Sequence, residues 1–185
     1  MPYTSETRHG FSEGGKMKTI RLGATALEIS EIGFGGIPII PLPQEEAVSV
    51  VRHCFDRGIT FFDTANMYPT SEEKLGIALK SIRNKVAIAT KSAQRDANGA
   101  AEHIDLSLRQ LQTDWIDIYQ LHNVSNGDAL NRVLAPQGAY EAVSKARDAG
   151  KIRFIGISSH SIATAMEALK SGLFQTLQFP FNFIE

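Results

Sequence analysis

Residues 58–83 read GITFFDTANMYPTSEEKLGIALKSIR, and this stretch decides the fold. It opens with an apolar run, Ile59 to Phe62, that stops at Asp63. A polar turn follows, and then TSEEKLGIALKSIR places Leu75, Ala78, Leu79 and Ile82 on one helical face. Thr70 and Glu73 fit a capping box at the start of that helix. A short buried strand feeding straight into an amphipathic helix is one βα unit. The aspartate at the strand tip needs a partner, because an unpaired buried carboxylate is costly. Tyr68 stands five residues beyond it.

The same unit recurs on both sides. Upstream, KTIRLGATALEIS reads as a hairpin turning near Gly23 to Thr25, followed by the glycine-rich apolar run SEIGFGGI. QEEAVSVVRHCFDRG sets Ala47, Val50, Val51, Cys54 and Phe55 on one helix face and closes on Gly58. Downstream, the strands KVAIATKS, WIDIYQLHN, RFIGISSH and LQFPFNF are separated by the helices GAAEHIDLSLRQLQ, GAYEAVSKARDAGK and SIATAMEALKSG. Six strands and five helices are thus expected after the hairpin. The strands are apolar almost throughout, as strands covered on both faces are. Such alternation predicts a parallel α/β sheet wrapped by helices. The segment from Asn123 to Gln137 reads as a long loop, a candidate lid or substrate loop.

Composition narrows the function classes. The 185 residues suffice for one core and are few for two domains. A net charge of −1, with Lys and Arg scattered, offers no footprint for nucleic acid or a membrane surface. No apolar stretch approaches the roughly 18 residues that span a bilayer. The polar start, residues 1–17, lacks the apolar core of a signal peptide and is expected to be a flexible lead-in to a domain over residues 18–185. Cys54 is the only cysteine, so this segment builds no disulfide or cysteine-held cluster, and it is expected to be buried in its helix. His53 and His103 are expected on helix surfaces. A cytoplasmic setting is the expectation.

The informative polar residues fall at strand ends. Asp63 closes FF, Lys91 closes VAIAT, His122 closes IYQL, and Ser158 and Ser159 close FIGI; Gln178 lies in the last strand and Asn182 near its end. In a parallel βα barrel these ends converge on one rim, where such enzymes carry their chemistry. Asp63 can then pair with Lys91, and Tyr68 can lean over the same spot. A phenol has a pKa near 10; a lysine cation beside it is expected to lower that value. A tyrosine so placed can give a proton to a developing alkoxide. The hydride that completes a carbonyl reduction must come from a nicotinamide. Singly, Asp63 also fits a loop-capping carboxylate, Lys91 a solvated strand end and Tyr68 a packing residue; joint placement favours the chemical reading.

The stretches DTANMYPTSEEKLG, VAIATKS, HIDLSLRQLQTDWIDIYQLH and GKIRFIGISSHS resemble the aldo-keto reductases, and IRLGATALEISEIGFGGIP resembles that family's N-terminal hairpin and first barrel strand. The resemblance runs from Lys18 to Glu185. It implies an eight-stranded βα (TIM) barrel that binds NADP(H) without a Rossmann domain and reduces small-molecule aldehydes and ketones. It places the family's catalytic tetrad on Asp63, Tyr68, Lys91 and His122, with Tyr68 as the acid, and its nicotinamide contacts on Ser158, Ser159 and Gln178. The sequence itself offers no metal-ligand cluster, so no metal is expected at these residues.

Three departures from the family pattern stand out. Pro69 replaces the common glycine after the tyrosine, which stiffens the loop. Ser159 replaces the common asparagine, a variant found in relatives of which some carry a C-terminal iron–sulfur module. A barrel of this class takes eight strands and about 250 residues, whereas this sequence reaches the sixth strand. It is therefore expected to be the N-terminal three-quarters of a longer reductase, with open sheet edges that invite self-association. The alternative function is a non-catalytic regulatory or interaction protein on the same scaffold. Residues that choose NADP over NAD lie beyond this sequence.

Overall fold

The computed structural model describes residues 17–182. The lead-in expected over residues 1–17 lies, apart from Met17, outside them. Strands β1 (Thr19–Arg21) and β2 (Glu28–Ser30) pair antiparallel, with Thr19 opposite Ser30. The turn between them is a short 3-10 segment that closes on Ala26 in the left-handed region, and Thr25 Oγ1 donates to the Leu22 carbonyl at 2.6 Å.

The βα units follow in order: β3 (Phe34–Gly35), α1 (Gln44–Asp56), β4 (Phe61–Asp63), α2 (Ser71–Leu79), β5 (Ala87–Ser92), α3 (Ala97–Gln110), β6 (Ile116–Leu121), α4 (Gly127–Leu134), α5 (Ala139–Asp148), β7 (Ile152–Ser158), α6 (Ile162–Lys170) and β8 (Thr176–Gln178). Strands β3 to β8 form one six-stranded sheet in sequence order, every adjacent pair parallel. The parallel sheet is the one the repeat predicts, and with its hairpin it is part of the (β/α)8 barrel that the resemblance implies.

Strand alternation sorts the side chains into two layers. Phe62, Ile88, Tyr119, Leu121, Ile155 and Ile157 point outward into the main core beneath the helices. Ala87, Ala89 and Ile118 point inward and meet Leu27 and Ile29 of the hairpin, with Phe61 and Phe154 packed around them. The hairpin thus plugs the end of the barrel opposite the strand tips. Inward parity continues through Asp63, Lys91 and Gln120, which is what brings them to one rim.

Local expectations are corrected at four places. The segment 123–137 is not a plain loop: it holds α4, capped by Asn126 Oδ1 on the Ala129 N–H at 2.8 Å and buried through Leu130 and Val133. Thr70 does not cap α2. Its φ of 60° is left-handed, and no side-chain cap bond forms, because a cap needs an extended backbone to aim its oxygen at the helix N–H groups. The Ser71 hydroxyl instead lies 2.8 Å from Thr64 Oγ1 and donates to the Gly36 carbonyl at 3.0 Å. In α1, Ala47 and Val51 are buried, but Cys54 is only half-buried and Val50 is exposed. His103 is no plain surface residue: it is half-buried, 2.9 Å from Ser92 Oγ and 3.2 Å from Gln94 Nε2.

Candidate active site

Asp63 finds its partner on the neighbouring strand. Register sets Asp63 beside Ala89, so Lys91 stands one inward step further along β5. Lys91 Nζ donates to Asp63 Oδ2 at 2.7 Å and to the Thr64 carbonyl at 2.7 Å. Gln120 Nε2 donates to Asp63 Oδ1 and Gln178 Nε2 to Asp63 Oδ2, both at 3.3 Å. Four strands therefore converge on one carboxylate. Gln120 escapes the sequence reading, although a polar residue with the inward parity of Ile118 was the signal for it.

Tyr68 is held over this pair by a loop laced to β5. Thr64 N–H donates to the Ala89 carbonyl and Asn66 N–H to the Lys91 carbonyl, each at 2.9 Å. A tight turn, Tyr68 N–H to the Ala65 carbonyl at 2.9 Å, sets the ring's direction ahead of Pro69. The ring meets that of His122 edge-on, with centroids 6.0 Å apart and planes at 84°. Lys91 Nζ lies 5.4 Å from the Tyr68 ring centroid. Among the described residues the Tyr68 hydroxyl makes no hydrogen bond, so it is open to a ligand.

The electrostatics differ from the expectation in one respect. Burial, and then the charge of Asp63, push the Tyr68 phenol above its ordinary value. The Lys91 ammonium, engaged by Asp63 and the Thr64 carbonyl, does not reverse that direction. Burial lowers Lys91 itself, opposed by Asp63 and by Glu72. His122 is pushed down to about 4 by burial and then by the charges of Lys91 and Arg95, with a smaller contribution from the neighbouring His160, so its ring is neutral at pH 7. Arg95, on the loop after β5, clamps this strand end through Nη2, which donates to the His122 carbonyl at 2.8 Å and the Asn123 carbonyl at 3.1 Å.

A cleft of about 280 Å³ is bounded by Tyr68, Lys91, His122, Ser158, Ser159 and Gln178, with His160 joining them. Asp63 sits behind Lys91. The three expected cofactor residues are not equally available. Ser158 Oγ accepts from the Asn123 N–H at 2.8 Å and donates nowhere among the described residues. Ser159 Oγ is committed to a local turn, accepting from the Ser161 N–H at 3.1 Å and donating to its carbonyl at 3.2 Å. Gln178 Oε1 accepts no bond among the described residues. There, no group of three or more His, Cys, Asp or Glu side chains could hold a metal ion, and no helix is long and apolar enough to cross a membrane.

A parallel βα sheet with an ion-paired lysine, a tyrosine and a histidine around one strand-tip cleft is the rim of a partial (β/α)8 barrel that carries acid–base side chains. The model for the aldo/keto reductase family matches residues 21–184, and the chain belongs to that family. L-galactose dehydrogenase of Arabidopsis thaliana is 35% identical over 158 residues, covering 77% of this chain and 49% of the relative. The holo form of the aldo-keto reductase AKR11C1 from Bacillus halodurans superposes with a TM-score of 0.79 at 30% identity, over 89% of this chain and 58% of that one. An aldo-keto reductase from Klebsiella pneumoniae in complex with NADPH gives a TM-score of 0.70 at 28% identity, over 83% of this chain and 54% of the other. The chain spans about half the length of the curated relatives it matches. The comparisons lend no support to an iron–sulfur module.

Proposed function

We propose that residues 18–185 carry the proton-transfer machinery of an NADP(H)-dependent reduction of aldehydes or ketones, with Tyr68 as the acid. The observation that carries this reading is the meeting of Tyr68, His122 and the Asp63–Lys91 pair, 2.7 Å between charges, at one cleft. The raised phenol keeps its proton at neutral pH, which is the state an acid needs before the alkoxide develops. Neutral His122 can donate a ring N–H to the substrate oxygen. Lys91 faces the ring and supplies positive charge as the phenolate forms, while Asp63 keeps that lysine charged and fixed.

The cleft suits a nicotinamide carboxamide, which needs one acceptor and one donor. Gln178 Oε1 offers the first and the Ser158 hydroxyl the second, whereas Ser159 must leave its turn to contribute. When bound, the nicotinamide supplies the hydride that no side chain can provide. NADPH is the form bound by the Klebsiella relative, and it is the form proposed here. The cytoplasm, a source of reduced nicotinamide, is the proposed setting.

The commitment of Ser159 to its own turn favours a second reading, a non-catalytic regulatory or interaction module on the same scaffold. One experiment separates them: fluorescence titration of NADPH into the full chain, with circular dichroism to show folding, followed by NADPH oxidation with a reactive aldehyde. Saturable binding and turnover, falling by about 10²-fold or more in Tyr68→Phe with the spectrum unchanged, are expected. No binding by the folded chain, or an undiminished rate in the variant, overturns the reductase reading.

A further inference from the structure

Glu72 takes no part in the chemistry above, yet it is 1% exposed and has no ion pair among the described residues. It sits in the first turn of α2, beneath the loop that carries Tyr68. Thr90 Oγ1 donates to its Oε1 at 2.6 Å. Asn66 Nδ2 reaches its Oε2 at 3.5 Å and Ser107 Oγ at 3.3 Å. Each partner belongs to a segment with work to do at the site. Thr90 immediately precedes Lys91. Asn66 is two residues before Tyr68, and its backbone N–H holds the Lys91 carbonyl. Ser107 ties Asn66 to α3.

Burial pushes the Glu72 carboxyl above the ordinary carboxylate range, and the donors converging on it and the Lys91 charge oppose that rise in favour of the ionised form. A carboxylate buried this deeply is held against a desolvation penalty that a neutral side chain of the same size avoids. The cation that acts on it is Lys91, reached across the strand, since Thr90 and Lys91 point to opposite faces of β5. From β6 the buried phenol of Tyr119 also faces it, and α3 contributes only the Ser107 hydroxyl. Lys91 in turn sees Asp63 and Glu72 as anions and Tyr68 and His122 as neutral neighbours.

We propose that Glu72 is a positioning residue: through Asn66 and Thr90 it fixes the Tyr68 loop against the end of β5, and through Thr90, which immediately precedes Lys91, it sets the place of that lysine beside Asp63. Its place in catalysis rests on the reading of Tyr68 as the acid; its coupling to Lys91 does not. The test is titration of the Lys91 side chain by ¹³Cε lysine NMR in the full chain, with amide exchange at Asn66 and Tyr68 read alongside. In Glu72→Gln, loss of the negative charge lowers the Lys91 midpoint by roughly one pH unit or less, and exchange at the two loop amides rises about tenfold. In Asn66→Ala the carboxylate stays, so loop exchange rises while the Lys91 midpoint holds.

A folded Glu72→Gln with an unmoved Lys91 midpoint overturns the coupling and leaves Glu72 as packing. If Glu72→Gln does not fold, Asn66→Ala and Thr90→Val decide: unchanged loop exchange in both overturns the positioning role. Absent turnover in the wild type sinks the reductase reading alone, because the lysine titration needs neither cofactor nor substrate.

Discussion

At the scale of single residues, His122 shows how position sets chemistry. No carboxylate touches its ring; burial and then the charges of Lys91 and Arg95, with a smaller contribution from His160, bring it to about 4. The ordinary value is 6.5, so between about pH 6.5 and about pH 4 the unfolded chain binds more protons at this residue than the folded one. Stability from this group is therefore complete above about pH 6.5 and is lost as pH falls towards about 4. Proton NMR of the His122 ring is expected to show no protonation until about pH 4, and His122→Asn is expected to flatten the loss of urea resistance over that window. A midpoint near the ordinary value contradicts this. The identity of the strand-end residues was legible in sequence, because each polar group interrupts an apolar run. Gln120 and Glu72 were less so. Glu72 falls at the helical spacing of Leu75 and Leu79, so its burial was signalled, but its partners lie on β5, α3 and the Tyr68 loop, and no local pattern names them.

At the scale of elements, a buried carboxylate joins three strands away from the rim. Asp117 on β6 is 1% exposed and accepts from Arg83 Nη2 at 2.6 Å, from the Ile88 N–H at 3.0 Å and from Arg153 Nη1 at 2.8 Å. Arg83 also donates to the carbonyls of Val86 and Trp115 and lies 4.5 Å from the Trp115 ring. Asp117→Ala leaves the buried Arg83 charge without its counter-ion and the Ile88 N–H without its acceptor. A loss of about 3–5 kcal/mol in urea unfolding is expected, and a loss below about 1 kcal/mol indicates that water takes the vacated place. Elements were read well where the apolar run or periodicity is long, as in α3 and strands β5, β6 and β7, whereas the last strand, expected over LQFPFNF, is only Thr176–Gln178. The helix α4 was missed because eight residues between an asparagine and a proline give little periodic signal. The Thr70 cap failed because the turn after Pro69 forces a left-handed backbone, which outweighs side-chain preference.

At the scale of the whole molecule, the hairpin and the rim are opposite ends of one inward-facing layer. Ile29 is 3% exposed and closes the inner core against Ala87, Ala89 and Ile118. Ile29→Ala opens a cavity there and is expected to cost about 2–5 kcal/mol, measured by urea unfolding; a negligible change means the hairpin is peripheral to the barrel. The sequence by itself determined the βα order, the parallel sheet and the face on which Asp63, Lys91 and His122 emerge, because strand alternation and strand direction are local properties. Tertiary structure alone decided that Ser159 is tied to its own turn, that Tyr68 is pushed up rather than down, and that Glu72 sits behind Lys91. Those outcomes depend on burial and on distances between residues far apart in the chain, and electrostatic strength follows distance and desolvation, neither of which a residue pattern encodes.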